Sequence, residues 1–247
     1  MNTPLIANLN ARPDAARALR NYRRLAQGYD ATCKRIERLR LRAIQELGLR
    51  PGETVFDVAC GTGPTLPTLA TAVRPGGAVV GIEMCPEMAS QARARVAAAR
   101  LEGIVEIIES VVETVHVRAV ADAILLCYAH DVLQSPAALD RLLESAKPGA
   151  RIVVLGMRTL AWPWGWPVNF FNLYRARCYM TTYSNLRRPW RLLEQRGAAL
   201  REVHSALWGS AYIASGTLPQ RPASAGSRGP CERCPTTVER PQRKGFT

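Results

Sequence analysis

Two spacings of apolar residues alternate along the first two thirds of the chain, one typical of helices and one of buried strands. Ile36, Leu39, Ala43, Ile44 and Leu47 recur at helical intervals with arginines on the opposite face, and Gly48 supplies a stop. Residues 32–48 therefore read as a helix, preceded by another over 13–28. After the turn Leu49-Arg-Pro-Gly52 comes Thr54–Cys60, a near-continuous apolar run of the kind a strand covered on both faces requires. The alternation then repeats. A helix over Leu66–Val73 leads through Arg74-Pro-Gly-Gly77 to a second strand, Ala78–Glu83. Pro86, at a first-turn position, opens an alanine- and arginine-rich helix to about Leu101. Val105–Ser110 and Ala121–Tyr128 read as the third and fourth strands. Ser135-Pro136 caps and starts a helix to Ala146, Lys147-Pro-Gly149 reads as a turn, and Ala150–Met157 as the fifth strand. Five strands alternating with helices predict an α/β domain with a parallel sheet.

Beyond Arg158 the texture changes, and residues 161–190 hold nine of the sixteen aromatic side chains. Ala198–Leu207 and Trp208–Ala214 read as two further strands with Gly209 near their turn. From about Thr217 the chain is rich in Pro, Gly, Ser and Arg and reads as a disordered tail. The expected divisions are a helical cap (1–50), a core (51–157), an aromatic-rich lid with the final strands (158–216) and a basic tail (217–247).

Composition narrows the class. With 247 residues, 47% apolar, the chain can bury a sizeable core, and at 21% charged it is neither disordered in bulk nor a coiled coil. No apolar run reaches the ~18 residues of a membrane span, and Met1–Asp14 lacks the basic start and apolar centre of a signal peptide. The chain reads as soluble and cytoplasmic. Its net charge is +13, and residues 1–50 carry 11 cations against 4 anions while residues 217–247 carry 6 against 2. Such arms suit nucleic acid or anionic lipid, and equally the solvated face of an arginine-rich helix. The seven cysteines are scattered, with four inside apolar stretches, which fits small buried side chains in a reducing compartment. Cys231-Glu-Arg-Cys234 has no second pair nearby, so no metal site is expected.

The segment that carries chemistry is Val55-Phe-Asp57-Val-Ala-Cys-Gly61-Thr-Gly63-Pro64, at the first strand-to-helix junction. Glycines there let the backbone turn sharply and approach a ligand, and open parallel sheets bind ligands beyond the carboxyl ends of their strands. Glu83 follows Gly63 by twenty positions, at the end of strand two, where a carboxylate can hold a ribose diol. There is no P-loop sequence, and Leu66 stands where a dinucleotide fingerprint needs its third glycine.

Taken together, these segments resemble the class I S-adenosylmethionine-dependent methyltransferases over about residues 20–157. Phe56–Gly63 is similar to the family's first motif, Val80–Met88 to the next, and Lys147–Val153 to the segment entering strand five. Tyr22-x3-Ala26-x2-Tyr29-Asp30 resembles the start of the branch holding ubiquinone/menaquinone C-methyltransferases and phosphatidylethanolamine N-methyltransferases. The resemblance implies a Rossmann-like α/β sandwich, a mostly parallel seven-stranded sheet with an antiparallel last strand and helices on both faces. It implies S-adenosyl-L-methionine as cofactor. Asp57 would organise the loop and reach the methionine ammonium, the backbone of Ala59, Cys60, Gly61 and Gly63 would line the methionyl and ribose portion, and Glu83 would hold the ribose hydroxyls. Met84 would pack on adenine, and Tyr22 and Tyr29 would close over the donor, with Cys127 at the end of strand four. One departure stands out. The acidic residue that the family places after strand three is absent from its expected position, where Glu109-Ser-Val-Val-Glu113 offers Glu109, Glu113 or a backbone carbonyl instead.

The acceptor is expected beyond strand four, at Cys127-Tyr-Ala-His-Asp131. His130 is the candidate base or acceptor-orienting group, since imidazole takes a proton near neutral pH, with Tyr29 as a second catalytic candidate. The aromatic stretch 161–190 reads as a pocket wall for an aromatic or lipid-like acceptor, as a membrane-contacting surface beside Arg175, Arg177, Arg187 and Arg188, or as plain core. The function expected is methyl transfer to O, N or C of a small molecule, with phospholipid N-methylation inside that class. Nucleic acid is the weaker partner, because Cys-Tyr-Ala-His replaces any base-reading segment after strand four. A non-catalytic scaffold of the same fold is the remaining alternative.

Overall fold

A computed structural model of the chain describes residues 12–30, 36–161, 163 and 165–219. The expected tail beyond 219, with its CxxC, and the first part of the predicted second helix lie outside the described residues. Two helices come first, α1 (Ala15–Leu25), prolonged by a 3₁₀ turn over Ala26–Gly28, and α2 (Glu37–Glu46). Asp14 starts α1 by accepting the Arg17 N–H at 2.9 Å. Then follow β1 (Thr54–Val58), α3 (Leu66–Val73), β2 (Ala78–Glu83), α4 (Pro86–Ala98), β3 (Val105–Glu109) and β4 (Ala121–Cys127). The chain continues with α5 (His130–Leu133), α6 (Pro136–Glu144), β5 (Ala146–Met157), α7 (Trp166–Ala176), α8 (Arg191–Glu194), β6 (Ala199–Ala206) and β7 (Ala211–Thr217).

The seven strands form one sheet in the order β3-β2-β1-β4-β5-β7-β6, parallel except for β7, which runs antiparallel to both neighbours. Strand parity splits the core in two. Phe56, Val58, Val80, Ile82, Ile124, Leu126, Ile152 and Val154 pack on one face with Ala138, Leu139 and Leu142 of α6. The alternate residues Val55, Val79, Ala123, Leu125, Val153 and Leu155 pack on the other with α2, α3 and α4. Apolar residues on both faces are what made these strands read as unbroken apolar runs. Chain order reverses at β1, whose neighbours are β2 and β4, so the crevice at the carboxyl ends of β1 and β4 is the natural ligand site.

Three local expectations need correction. α4 ends at Ala98, before Leu101, because Arg100 adopts a left-handed backbone. Lys147-Pro-Gly149 is no turn between elements; β5 starts at Ala146 and bulges. Ala121 pairs with Ala146 but Ala123 pairs with Arg151, and Lys147 reaches Asp122 at 2.5 Å. The last strand begins at Ala211 because Leu207–Gly209 takes up the turn, and it runs on to Thr217 with Leu218 buried after it. Among the described residues no helix is long and apolar enough to cross a membrane.

Candidate active site

After β1 the chain enters the glycine loop through three residues at positive φ, Ala59 (56°), Gly61 (61°) and Gly63 (74°). The two glycines serve different ends. A Cβ at Gly61 would meet nothing closer than 3.8 Å, so its need is the backbone angle alone. A Cβ at Gly63 would lie 2.5 Å from Leu66 and 3.1 Å from Ala92, so its bareness lets α4 approach the loop. Glu83, buried at the end of β2, clamps the loop from the side. Its carboxylate accepts the Gly61 N–H at 2.9 Å and the Cys85 N–H at 2.8 Å. Burial pushes its pKa up, and these amides pull it back. Glu83 lines the cleft with the acceptor capacity these amides leave.

Above the loop stand three tyrosines. Tyr22, Tyr29 and Tyr179 touch one another with ring centroids 6.1–6.4 Å apart, two of the pairs edge-on. Tyr22 is held well above the usual phenol range by its enclosure and then by Tyr29, Asp131 and Glu83, so its hydroxyl remains a hydrogen-bond donor. Asp30 fastens this cap. It accepts the Thr62 hydroxyl at 2.5 Å and Arg95 Nη2 at 2.6 Å, while Arg95 Nε donates to the Thr62 carbonyl.

The opposite wall comes from β4 and α5. Tyr128, like Ala59, has a left-handed backbone (φ 56°), so the chain turns off the sheet at the same level in both central strands. Non-glycine residues held this way are commonest at functional sites. His130 is buried, and among the described residues its Nε2 is the one buried side-chain N or O atom without a hydrogen-bond partner. Burial pulls its pKa down to about 4, with a hydrogen bond to the Ser184 backbone opposing this, so the ring is neutral near pH 7. The expectation that it titrates near neutrality is thereby corrected. Asp131 accepts the Thr181 N–H, the Thr181 hydroxyl at 2.6 Å and the Thr182 N–H, and burial raises its pKa. The Thr181 hydroxyl in turn accepts the Asp14 N–H at 2.9 Å.

These walls enclose a cleft with about 910 Å³ of atom-free space, its open mouth included. Glu83, Glu113 and Asp131 line it, and among the described lining residues there is no lysine or arginine. Nor do the described residues hold a group of three His, Cys, Asp or Glu arranged for a metal ion.

Residues 55–149 match the family model described as "Methyltransferase domain". A demethylmenaquinone methyltransferase of Symbiobacterium thermophilum is 27% identical over 139 residues, 53% of this chain and 55% of that protein. The ubiquinone/menaquinone biosynthesis C-methyltransferase UbiE of Syntrophotalea carbinolica is 32% identical over 120 residues, 48% and 49% of the two chains. A crystal structure of an S-adenosylmethionine-dependent methyltransferase from Aquifex aeolicus shares the fold with a TM-score of 0.58 at 21% identity, covering 81% of this chain and 98% of that one. Residues 55–149 are thus similar to a methyltransferase domain, in a fold shared with an S-adenosylmethionine-dependent methyltransferase. The chain spans about half the length of the two curated relatives it matches here.

The cofactor of such a methyltransferase domain carries a sulfonium and an ammonium against one carboxylate. A cleft whose described lining residues include three carboxylates and no lysine or arginine suits that charge. Of the residues read from the sequence, Tyr22, Tyr29, Ala59 and Gly61 line the cleft, as do Glu83, Met84, Cys127 and His130. Asp57, Cys60 and Gly63 do not. Asp57 sits beneath the loop on the α2–α3 face, where it accepts the Thr65 hydroxyl; burial raises its pKa to about 7, against the pull of Thr65 and the Arg40 guanidinium. Cys60 packs into the core of that same face. After β3, Glu109 turns outward to Arg93 at 3.0 Å, whereas Glu113 lines the cleft and accepts the Ser135 hydroxyl at 2.6 Å. Asp131, Tyr179 and Met180, which fall within the segments expected on the acceptor side but were not singled out as site residues, line the cleft as well. No periodicity marks which way the segment around 180 faces.

Proposed function

We propose that this chain transfers a methyl group from S-adenosyl-L-methionine to a small acceptor, aromatic or lipid-like in character, at O, N or C. The observation that carries the reading is the anionic cleft in which the Glu83–Gly61 clamp and the unpartnered His130 nitrogen share one space. When bound, the cofactor supplies an electrophilic methyl on sulfur, and the protein's part is to position the partners and complement charge. In this proposal Glu83 holds the ribose hydroxyls and Met84 borders the adenine. Glu113, anchored by Ser135, takes the place of the acidic residue missing after β3. Tyr22, Tyr29 and Tyr179 cover the cationic centre with their ring faces and exclude water from it. Asp57 supports the loop from below rather than touching the ammonium.

On the acceptor side, His130 presents its free Nε2 to an O–H or N–H. Moving a proton fully from a phenol-like acceptor of pKa ~10 to a ring of pKa about 4 costs ~8 kcal/mol. His130 therefore orients and polarises the acceptor, and full proton removal follows methyl transfer to solvent. Tyr29, leaning over Gly61, belongs to the donor side in this arrangement. The test combines isothermal titration of cofactor and of its demethylated product with a labelled-methyl screen of metabolite and lipid extracts. Saturable binding and a labelled small molecule are expected. Absence of cofactor binding, or label confined to nucleic acid, overturns the proposal.

A further inference from the structure

Helix α7 is amphipathic in an unusual sense. Its inner residues Leu173 and Ala176 pack against Met180, Tyr183 and Leu186. Its outer face carries four large rings in the open, Trp166, Phe170, Phe171 and Tyr174, each 53–68% exposed. Such a face is normally polar in a solvated helix. The β6–β7 turn adds Leu207 (62% exposed) and Trp208 (88%), both held in a left-handed backbone that bulky side chains rarely adopt. Turn and helix are joined through Leu160, which Asn169 of α7 grips by both its N–H and its carbonyl and against which Gly209 rests.

The stretch of chain that bears the helix rings is basic in sequence. From Ser145 to Leu193 the chain contains no aspartate or glutamate and eight lysines and arginines. Arg175 lies 5.8 Å from the centre of the Phe171 ring, and Arg177 lies 3.9 Å from that of Tyr174, so cationic tips border the apolar surface. Exposed aromatics bordered by Arg175 and Arg177, with the Glu202 carboxylate beside the turn neutralised by Arg158, complement a surface that is apolar inside and anionic at its face.

We propose that the outer face of α7 and the Leu207–Gly209 turn dock on an anionic lipid bilayer. The rings enter the boundary between headgroups and acyl chains, and Arg175 and Arg177 meet the lipid phosphates. Beyond the end of α7 the chain passes directly to Tyr179 and Met180 in the cleft wall, so docking sets the cleft beside the membrane surface. The proposal stands independently of methyl transfer.

The test is flotation of the full chain with vesicles of phosphatidylcholine alone and of phosphatidylcholine mixed with phosphatidylglycerol. Binding to the mixed vesicles, weakened by salt, is expected, with a loss on the order of tenfold or more in a Phe170→Ser/Phe171→Ser variant and again in Trp208→Ser. Circular dichroism and cofactor titration of these variants should match the parent chain, which separates failed docking from a failed cleft. No flotation overturns the proposal. So does flotation that the ring substitutions leave unchanged, since the basic termini would then carry it. A dimer that these substitutions dissociate, without vesicle binding, assigns the surface to a second copy instead.

Discussion

Asp57 is the clearest place to test whether the cleft is built as described. Its carboxyl, beneath the glycine loop, has a pKa of about 7 in the folded chain against 3.8 when solvated, chiefly because it is buried. Between those values the folded chain keeps a proton that the unfolded chain has released. Stability therefore falls as pH rises, by ~1.4 kcal/mol per unit. From pH 5 to pH 7 the loss is ~2 kcal/mol, and above about pH 7 it levels off. His130 works in the opposite sense: lowered from 6.5 to about 4, it costs stability as pH falls through that window. In the parent chain the two slopes nearly cancel between pH 5 and 6.5, which would hide both. Asp57→Asn keeps an acceptor for the Thr65 hydroxyl and removes one titration. Urea denaturation of both proteins at pH 5, 6, 7 and 8, followed by circular dichroism, should show the difference shifting in the variant's favour by ~2 kcal/mol between pH 5 and 7 and then flattening. Parallel curves would refute a buried Asp57 with a raised pKa.

Other substitutions probe the remaining walls. Glu83→Ala strands two buried amides and removes the proposed diol acceptor. Cofactor affinity in calorimetry should fall by ~1.5–3 kcal/mol, about 10- to 150-fold, and an unchanged Kd would remove Glu83 from the site. Gly63→Ala forces a Cβ against Leu66 and Ala92 at φ 74°. A loss of roughly 2–4 kcal/mol in denaturant unfolding is expected, and an unshifted midpoint would contradict the tight approach of α4. His130→Phe should lower turnover about tenfold to a hundredfold with cofactor Kd unchanged. Turnover equal to the parent's would show that Nε2 orients nothing.

Sequence pattern reached the α/β alternation because Gly and Pro punctuate it. Leu66–Val73 and Ala78–Glu83 lie between such residues and occupy the positions expected of them. It misjudged Lys147-Pro-Gly149, whose turn-forming composition is equally at home in a bulge where β5 pairs on either side. At the site, the loop residues were legible as a group but not their directions. Parity along β1 already puts Asp57 beside Val55, on the face opposite Phe56 and Val58, and so away from the α5–α6 side. The segments holding Asp131 and Tyr179 were legible as acceptor-side, but which of their residues face the cleft depends on a contact across 50 residues, the Asp131 carboxylate on Thr181, which no local spacing encodes.

That contact has a mechanical side. The Thr181 hydroxyl gives its proton to Asp131 and takes one from the backbone in front of α1, so a single oxygen rivets together the start of the chain, the histidine-bearing turn and the stretch that follows the aromatic helix. Prising the tyrosine canopy away from either flank loads the same joint. The two flanks of the canopy are thereby tied to each other, although they lie 167 residues apart along the chain.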